Sequence, residues 1–143
     1  MTLCLSAHHK TVKNIEIKKE FTISMATVSQ MVACDYMGIA SGNDVSNKFE
    51  VAGWHDTKAA FVDAPMIDEL PVCVECKLIS YDSESCVLVC DIVNVSVDES
   101  VLDENGKVDI KKVEPIAFDP FTNTYVKCTD VVGQAFSAGM VLK

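Results

Sequence analysis

The sequence contains no arginine, and each of its twelve basic residues is a lysine. A bidentate guanidinium fork is therefore excluded. Any phosphate that this protein binds must be held by lysine ammonium groups, hydroxyls, backbone N–H groups or the amino-terminal end of a helix. The 21 acidic residues leave a formal net charge of −9. Because contacts to nucleic acids need clustered cations, this charge argues against a nucleic-acid partner.

The sequence also lacks a long apolar run and a leader-like amino terminus. No run approaches the roughly 18 apolar residues that a membrane span requires. No basic region followed by a hydrophobic core and a cleavage site is found at the start. We therefore expect a cytoplasmic protein with no membrane partner. With 143 residues, 49% of them hydrophobic, the chain has the size and composition of one domain with a single core.

The seven cysteines are an odd number and are scattered from Cys4 to Cys128. Without a secretory signal they are expected to be reduced thiols rather than a disulfide framework. Cys73 and Cys76 form a C-x-x-C motif, but the sequence around them has the composition of a strand. Residues three apart on a strand point to opposite sides of the sheet, so the two sulfurs should diverge. We expect neither a redox dithiol nor a zinc site here, and no metal centre elsewhere.

Strand and helix signals alternate along the chain, without repeats or linkers. Thr27 and Gln30 have the spacing of a capping box, which predicts that a helix opens there and stops at Gly38. Thr11 could cap a short helix that carries Val12 and Ile15. The remaining predictions are strands over 2–6, 20–25, 72–81 and 86–98, and helices over 46–52 and 131–138.

The two longest predicted strands form the strongest structural signal. The turn-rich segment Asp82-Ser-Glu-Ser85 joins them, which indicates an antiparallel hairpin. In each strand, alternate residues are apolar and so share one face of the sheet. A hairpin this long and apolar must be covered, and closing the sheet into a barrel is the usual way to remove exposed edges. The two sets are Val72, Val74, Cys76 and Leu78, and Val87, Val89, Val93, Val95 and Val97.

No arrangement of a nucleophile and a base is apparent in the sequence. His8 and His9 are neighbours whose side chains should point apart, and His55 stands alone. The chain contains no H-E-x-x-H, no G-x-S-x-G and no phosphate loop of the nucleotide-hydrolase type. Hydrolytic chemistry is therefore not supported, and no catalytic residue is assigned. Cofactor chemistry remains, in which the protein supplies position and electrostatics.

Several segments, taken in order, resemble those of the flavin reductase-like proteins, the FMN-binding split-barrel family that includes the flavoredoxins. The resemblance covers nearly the whole chain. It implies a mainly β protein, an FMN-binding split β-barrel with short flanking helices, formed by residues 1–143 as a single domain. The segments are Glu20-Phe-Thr-Ile23, Asp35-Tyr-Met-Gly-Ile39, Ser41-Gly-Asn-Asp44, Asn47-Lys-Phe49, Ala64-Pro-Met-Ile67, Leu102 to Ile110 and Pro115-Ile-Ala-Phe118.

Carried over by position, the resemblance also implies a set of cofactor-binding residues. Thr11 matches the hydroxyl residue that binds the FMN phosphate, with Lys10 beside it. Lys48 matches a lysine that reaches the phosphate and the polar edge of the flavin, and Phe118 matches an aromatic residue close to the cofactor. The backbone amides around Ser41 and Gly42 are expected to assist. The alternatives are a helix cap for Thr11, a solvated helix residue for Lys48 and ordinary core for Phe118.

The implied function is that of an FMN-binding oxidoreductase that passes electrons from NAD(P)H to flavin or to a partner protein. One alternative is an FMN-binding electron-transfer protein without nicotinamide activity. Another is a truncated, non-catalytic member of the family. The implied partners are flavin, a second copy of the chain in a homodimer, and an electron-acceptor protein.

The match begins part-way into the family pattern, so we expect a domain that is amino-terminally incomplete relative to the family. In the family that portion supplies barrel strands and cover for the isoalloxazine ring. Because a ring site needs such cover, we predict that the 143-residue chain binds FMN weakly, with a dissociation constant of about micromolar or higher, and purifies largely colourless. The absorbance spectrum of the purified protein checks this. A full-occupancy flavin spectrum would contradict it.

Overall fold

The computed structural model describes all residues, Met1–Lys143. No helix in it has both the length and the apolar character needed to cross a membrane. The elements in chain order are β1 (Thr2–Cys4), α1 (Lys10–Lys18), β2 (Glu20–Ser24), α2 (Met31–Ile39), α3 (Lys48–Ala52), β3 (Asp56–Lys58), β4 (Pro65–Ile67), β5 (Val72–Asp82), β6 (Val87–Val97), α4 (Ile110–Val113), β7 (Ile116–Asp119) and β8 (Thr124–Lys127), with short 3₁₀ turns at Glu99–Val101 and Ala138–Leu142.

The main sheet has four strands in the order β1-β6-β5-β2, and every neighbouring pair is antiparallel. Two further two-stranded sheets are formed by β3 with β4 and by β7 with β8. The predicted hairpin is confirmed as β5 and β6. In its turn, the Asp82 carboxylate accepts hydrogen bonds from the Glu84 N–H and the Ser85 hydroxyl, and Cys86 has a positive φ of 60°.

The core lies between this sheet and α1. Five buried residues form its largest cluster, Cys76 among them, and Val74 and Leu78 pack against it, as predicted for residues that share a face of β5. The valines of β6 do not share one face as predicted, because Val95 and Val97 lie opposite Val74 and Val72, whereas Val87 and Val89 flank the buried Leu88. Two register shifts between β5 and β6 interrupt the simple alternation on which that prediction relied. The cluster consists of Ile15, Phe21, Cys76, Leu88 and Cys90.

The capping-box prediction at Thr27 is wrong. Thr27 is buried and pairs as a bridge with Pro115, and the following N–H, that of Val28, donates to the Glu114 carbonyl. These contacts with a distant segment hold residues 27 and 28 in strand-like pairing, so α2 begins only at Met31. Tertiary pairing has overridden a local helix signal.

The helix predicted over residues 131–138 does not form, and the only regular turn nearby is the 3₁₀ turn Ala138–Leu142. Every residue from 130 to 143 is exposed. A short helix gains most of its stability by packing an apolar face, and this segment has no surface to pack against.

The seven thiols are all free, and three of them, Cys73, Cys76 and Cys90, are buried. Cys76 belongs to the core cluster and Cys73 does not, as expected for residues that point to opposite sides of the sheet. Burial, with the neighbouring Cys90 thiol as a second cause, raises the pKa of Cys76 to about 12. Because the thiolate is the reactive form, this cysteine is an inert core residue at neutral pH.

These thiols give a direct test of the fold. A thiol-exchange reagent applied to the native protein should label the exposed Cys4 and Cys128 first, whereas Cys73, Cys76 and Cys90 should react only after unfolding. Mass spectrometry of peptides from a labelling time course measures the order. Early labelling of Cys76 in folded protein would revive a dithiol role for the C-x-x-C motif.

Candidate functional site

A cavity of about 550 Å³ opens between the start of α1, the loop after α2 and the start of α3. Of the fifteen residues that line it, none is Asp or Glu, although the protein as a whole carries a net charge of −9. Lys10, Lys48 and His9 are among the lining residues, and hydroxyl and amide side chains supply most of the other polar groups. The cavity is therefore a locally cationic site on an acidic protein, which suits an anionic ligand.

The position of α1 follows from its two buried residues. Val12 and Ile15 are 1% and 4% exposed, and their spacing of three places both on the face that packs on the sheet. Lys10, Thr11 and Asn14 line the cavity from the same helix. The sequence pattern thus separates a core face from a ligand face within nine residues.

The amino-terminal end of α1 adds backbone donors. The N-cap is His9, with extended backbone angles and no side-chain capping bond, and the Val12 N–H donates to the His9 carbonyl. The N–H groups of Lys10 and Thr11 belong to the first turn, which a helix leaves without internal partners. The helix dipole also favours negative charge at this end. Since His9 is the cap, the alternative interpretation of Thr11 as a helix cap is wrong.

The loop after α2 is attached to the residues that precede α1. The Asn43 side-chain amide donates to the His8 carbonyl at 3.0 Å, and the Asn43 N–H donates to the Ser41 hydroxyl at 3.1 Å. A Cβ added at Gly42 would lie 3.5 Å from the Lys10 Cβ and Cδ atoms, so the loop and the helix are in contact here. Ser41 and Gly42 line the cavity together with Lys48.

Lys48 is held in place by backbone carbonyls. Its ammonium group donates to the Met37 carbonyl at 2.8 Å and also to the Ala40 carbonyl, at the carboxyl-terminal end of α2. A cation at this end of a helix is favoured by the helix dipole. An ammonium group has three N–H donors, so one remains for a ligand. Lys48 is therefore an oriented cation in the cavity wall and not a solvated helix residue.

A second cavity, of about 870 Å³, continues the first along α1. The two share Thr11, Asn14 and Phe49. Six of its lining residues are hydrophobic, Ile15 and Phe21 among them, and five are charged: Lys18, Glu20, Asp56, Lys58 and Asp63. A cationic pocket next to one with a mixed apolar and charged wall suits a ligand that has a charged end and a body with both apolar and polar parts.

Five of the six sequence-predicted site residues, Lys10, Thr11, Ser41, Gly42 and Lys48, are brought together in the first cavity. Phe118 is not among the residues that line either cavity. It lies on β7, 56% exposed, with its ring 5.9 Å from that of Tyr125. The alternative of ordinary core is therefore wrong, and closeness of Phe118 to the cofactor stays a prediction.

Sequence reasoning missed Asn14 and Asn43. Asn14 could have been found from its helical spacing of three and four residues from Thr11 and Lys10, which places it on the same face. Asn43 had no such signal, because its contact with the His8 carbonyl joins residues 35 positions apart.

His55 was expected to stand alone but pairs with Glu69, with 2.7 Å between its Nδ1 atom and a carboxylate oxygen. Hydrogen bonding to the Glu69 carboxylate raises the pKa of His55. Neither residue lines the two cavities. The pair fastens the start of the β3–β4 segment rather than contributing to this site.

The sequence matches the family model described as Flavin reductase like domain over residues 1–117. A sequence relative in Aquifex aeolicus (strain VF5), an uncharacterized protein, is 34% identical over 108 residues, which are 74% of this chain and 55% of the relative. The chain thus spans about half the length of that relative.

Solved structures of similar fold agree with the family match. The flavoredoxin of Desulfovibrio vulgaris (Miyazaki F) is 34% identical, with a TM-score of 0.89 over 96% of this chain and 74% of that one. A flavoredoxin from Methanosarcina acetivorans is 24% identical, with a TM-score of 0.88 over 99% and 75% of the two chains. A split-barrel flavin reductase-type structure from Shewanella frigidimarina shares the fold at 18% identity, with a TM-score of 0.71 over 89% and 65%. The mainly β, split-barrel prediction is confirmed.

Proposed function

Because this chain belongs to the flavin reductase-like family, we propose that it binds FMN and acts as an oxidoreductase that passes electrons from NAD(P)H to flavin or to a partner protein. The observation that carries the proposal is the cationic cavity, which has two lysines and no carboxylate in its wall. In a protein with 21 acidic residues, that segregation of charge is the signature expected of a phosphate-binding site.

The residues present fit the phosphate group. Thr11 offers a hydroxyl and its backbone N–H, and Lys10 adds a positive charge at the same helix end. Lys48 faces the cavity from α3 with one N–H donor free. Together they supply charge-assisted hydrogen bonds without an arginine. The hydrophobic residues of the second cavity, Phe21 and Phe49 among them, are the kind of surface on which a flavin ring packs.

When bound, FMN would supply the electron-transfer chemistry, and the protein would supply its position and surroundings. In this proposal Thr11, Lys10 and Lys48 bind and orient the phosphate. Asn43 holds the loop of Ser41 and Gly42 against α1, which preserves the shape of the cavity. No side chain of the two cavities is assigned a proton-transfer role.

A second candidate function is electron transfer through FMN without use of a nicotinamide. The similarity to a flavoredoxin at 34% identity and a TM-score of 0.89 supports it. Anaerobic mixing of the FMN-saturated protein with NADH or NADPH distinguishes the two. Loss of the yellow flavin absorbance on mixing supports the nicotinamide-linked activity. Unchanged absorbance, with bleaching only by a chemical reductant such as dithionite, supports the electron carrier.

We also propose that the protein is a homodimer. In the four-stranded sheet, β1 is an edge strand, whereas β2 contacts β4 through the Thr22 hydroxyl, which donates to the Pro65 carbonyl. An open sheet with apolar side chains near an edge tends to pair with another chain, and two-fold symmetric dimers are the commonest closed assembly. The mass in solution, measured by light scattering, tests this separately from flavin binding.

The phosphate assignment predicts a specific loss of affinity. Lys48→Ala should weaken FMN binding by roughly 1.5–3 kcal/mol, the range for a hydrogen bond to a charged group, and Thr11→Val should act in the same direction. Lys13→Ala is the matched control, because Lys13 lies on the same helix but outside the cavity wall. Titration with FMN measures all three variants.

The emission of Trp54 reports whether each variant is folded, since this residue is 7% exposed and its indole N–H donates to Gln30. Folded Lys48→Ala and Thr11→Val proteins with the affinity of the Lys13→Ala control would place the phosphate elsewhere.

A further inference from the structure

Glu75, on β5, is the one charged residue of the protein that is buried, with 0% of its surface exposed. In the main sheet it lies opposite Thr22 of β2 and Asn94 of β6. A polar or charged group inside a protein is stable only where hydrogen-bonding or charged partners compensate it. The partners of this carboxylate therefore indicate what it does.

Both oxygens of the Glu75 carboxylate accept hydrogen bonds. One accepts from the side-chain amide of Asn94 at 2.8 Å, within the same sheet. The other accepts from the backbone N–H of Phe61 at 2.7 Å, in the loop between β3 and β4. Glu75 thus connects the main sheet to residues 59–64, here called the β3–β4 loop.

A second carboxylate holds the same loop. The Glu20 carboxylate of β2 accepts from the Asp63 N–H at 2.6 Å and also pairs with Lys77 at 3.1 Å. The side chain of Glu20 is partly exposed, whereas Glu75 is not. Because a hydrogen bond shielded from water is electrostatically stronger, Glu75 is the firmer of the two anchors.

The β3–β4 loop and its two flanking strands form one wall of the second cavity. They supply six of the fifteen lining residues, and α1 supplies five. The Lys18 ammonium group of α1 lies 2.9 Å from the Asp63 carboxylate, so the two walls meet at this point. Glu75 lines neither cavity and can act on a ligand only through the loop. The six are Asp56, Lys58, Asp63, Ala64, Pro65 and Ile67.

We propose that Glu75 is a positioning residue for the flavin ring. Its hydrogen bond from the Phe61 N–H fixes the β3–β4 loop, and with it the wall of the second cavity that faces α1. A wall that is already in place before the ligand arrives lowers the free-energy cost of binding. The inference rests on the proposed function and adds to it a residue that does not touch the ligand.

Two substitutions separate the hydrogen bonds of Glu75 from its charge. Glu75→Leu removes both acceptors at a similar side-chain volume, so the Phe61 N–H loses its partner. Glu75→Gln keeps an acceptor for that N–H, and its NH₂ group can donate to the Asn94 amide oxygen after a flip of the Asn94 amide. The Leu variant should show the full effect and the Gln variant should restore most of the wild-type behaviour.

Asp103→Leu is the matched control. The Asp103 carboxylate also accepts from backbone N–H groups, two of them in its own turn at 2.8 Å and 2.9 Å, but it lines neither cavity. Its loss should loosen that turn and leave the flavin site unchanged.

Hydrogen exchange of the protein without flavin measures the loop. The Phe61 amide should exchange slowly in the wild type and in Glu75→Gln. In Glu75→Leu, the amides of residues 59–64 should exchange about tenfold faster, while those of α1 keep their wild-type rates. Trp54 emission reports folding, because the contacts of Trp54 with Gln30 and Phe49 lie outside the loop.

Titration with FMN, with inorganic phosphate as a competitor, measures the consequence for the ring. Glu75→Leu should raise the dissociation constant of FMN about tenfold, because only the fraction of molecules with the loop in place is competent to bind. Its affinity for inorganic phosphate should equal that of the wild type. Lys48→Ala should weaken the binding of both FMN and phosphate. This difference assigns Glu75 to the ring and Lys48 to the phosphate.

Unchanged exchange of residues 59–64 in folded Glu75→Leu, or an FMN affinity equal to that of the Asp103→Leu control, would overturn the inference and leave the proposed FMN site standing. Equal losses of FMN and phosphate affinity would indicate general damage and would also overturn it. A Glu75→Gln protein as weak as Glu75→Leu would assign the effect to charge and overturn the role of the hydrogen bond.

Phe61→Pro tests the same hydrogen bond from the other side if Glu75→Leu does not fold. It removes the N–H donor and keeps the carboxylate, at a side chain that is 62% exposed. It too should weaken FMN binding and spare phosphate binding, and an unchanged FMN affinity would overturn the inference. A wild-type protein that binds no FMN would overturn the proposed function and the inference together.

Discussion

The packing of Ile15 against Phe21, Cys76 and Leu88 is the contact on which the site depends. It fixes α1 on the sheet, and the rotation of α1 about its axis decides which side chains face the cavity. With Val12 and Ile15 in the core, Lys10, Thr11 and Asn14 must lie on the ligand side. A rotation of the helix by one residue would carry either Lys13 and Glu16 or Thr11 and Asn14 into the core, where unpaired charged or polar groups are costly. The hydrophobic core therefore orients the polar site.

Electrostatics provides the second constraint. A protein of net charge −9 repels anions over most of its surface, so a phosphate site requires the carboxylates to be excluded locally. The cavity achieves this by combining a helix start, a helix end and a short loop, none of which places an Asp or Glu in the wall. Lys48 has two roles in this arrangement. Its bonds to carbonyls of α2 stabilise that helix end and hold the ammonium group in the cavity wall.

Charge is also distributed unevenly along the chain. Residues 1–115 carry the whole net charge of −9, whereas residues 116–143 are neutral and largely apolar at their end. The β7–β8 hairpin begins the neutral part, and the hydroxyl of Tyr125 donates to Asp35 of α2 at 2.8 Å. This hydrogen bond fastens the hairpin to α2.

Whether a sequence prediction was right depended on how far apart in the chain the interacting residues lie. Predictions from local signals were confirmed for the β5–β6 hairpin, for the shared face of Val74, Cys76 and Leu78 on β5, and for the end of α3 at Ala52. Predictions were wrong where the residues instead form contacts with segments far away in the chain. Thr27 has the residue type of a helix cap, but its pairing with Pro115 removed it from the helix. The valines of β6 do not share one face, because register shifts between β5 and β6 interrupt the alternation. Such shifts depend on how the two strands pair and not on either strand alone.

What the sequence determined by itself was the class of the protein: an acidic, mainly β protein without arginine, with unpaired thiols and with segments in the order of the flavin reductase-like family. These properties depend on composition, alternation and short spacings, which act within a few residues. Only the tertiary structure decided that five of the expected site residues share a cavity, that Phe118 lies apart from it, and that Lys48 is held by carbonyls of another helix. Those features join residues far apart in the chain, and their contacts arise only when the sheet, α1 and the loops are packed together.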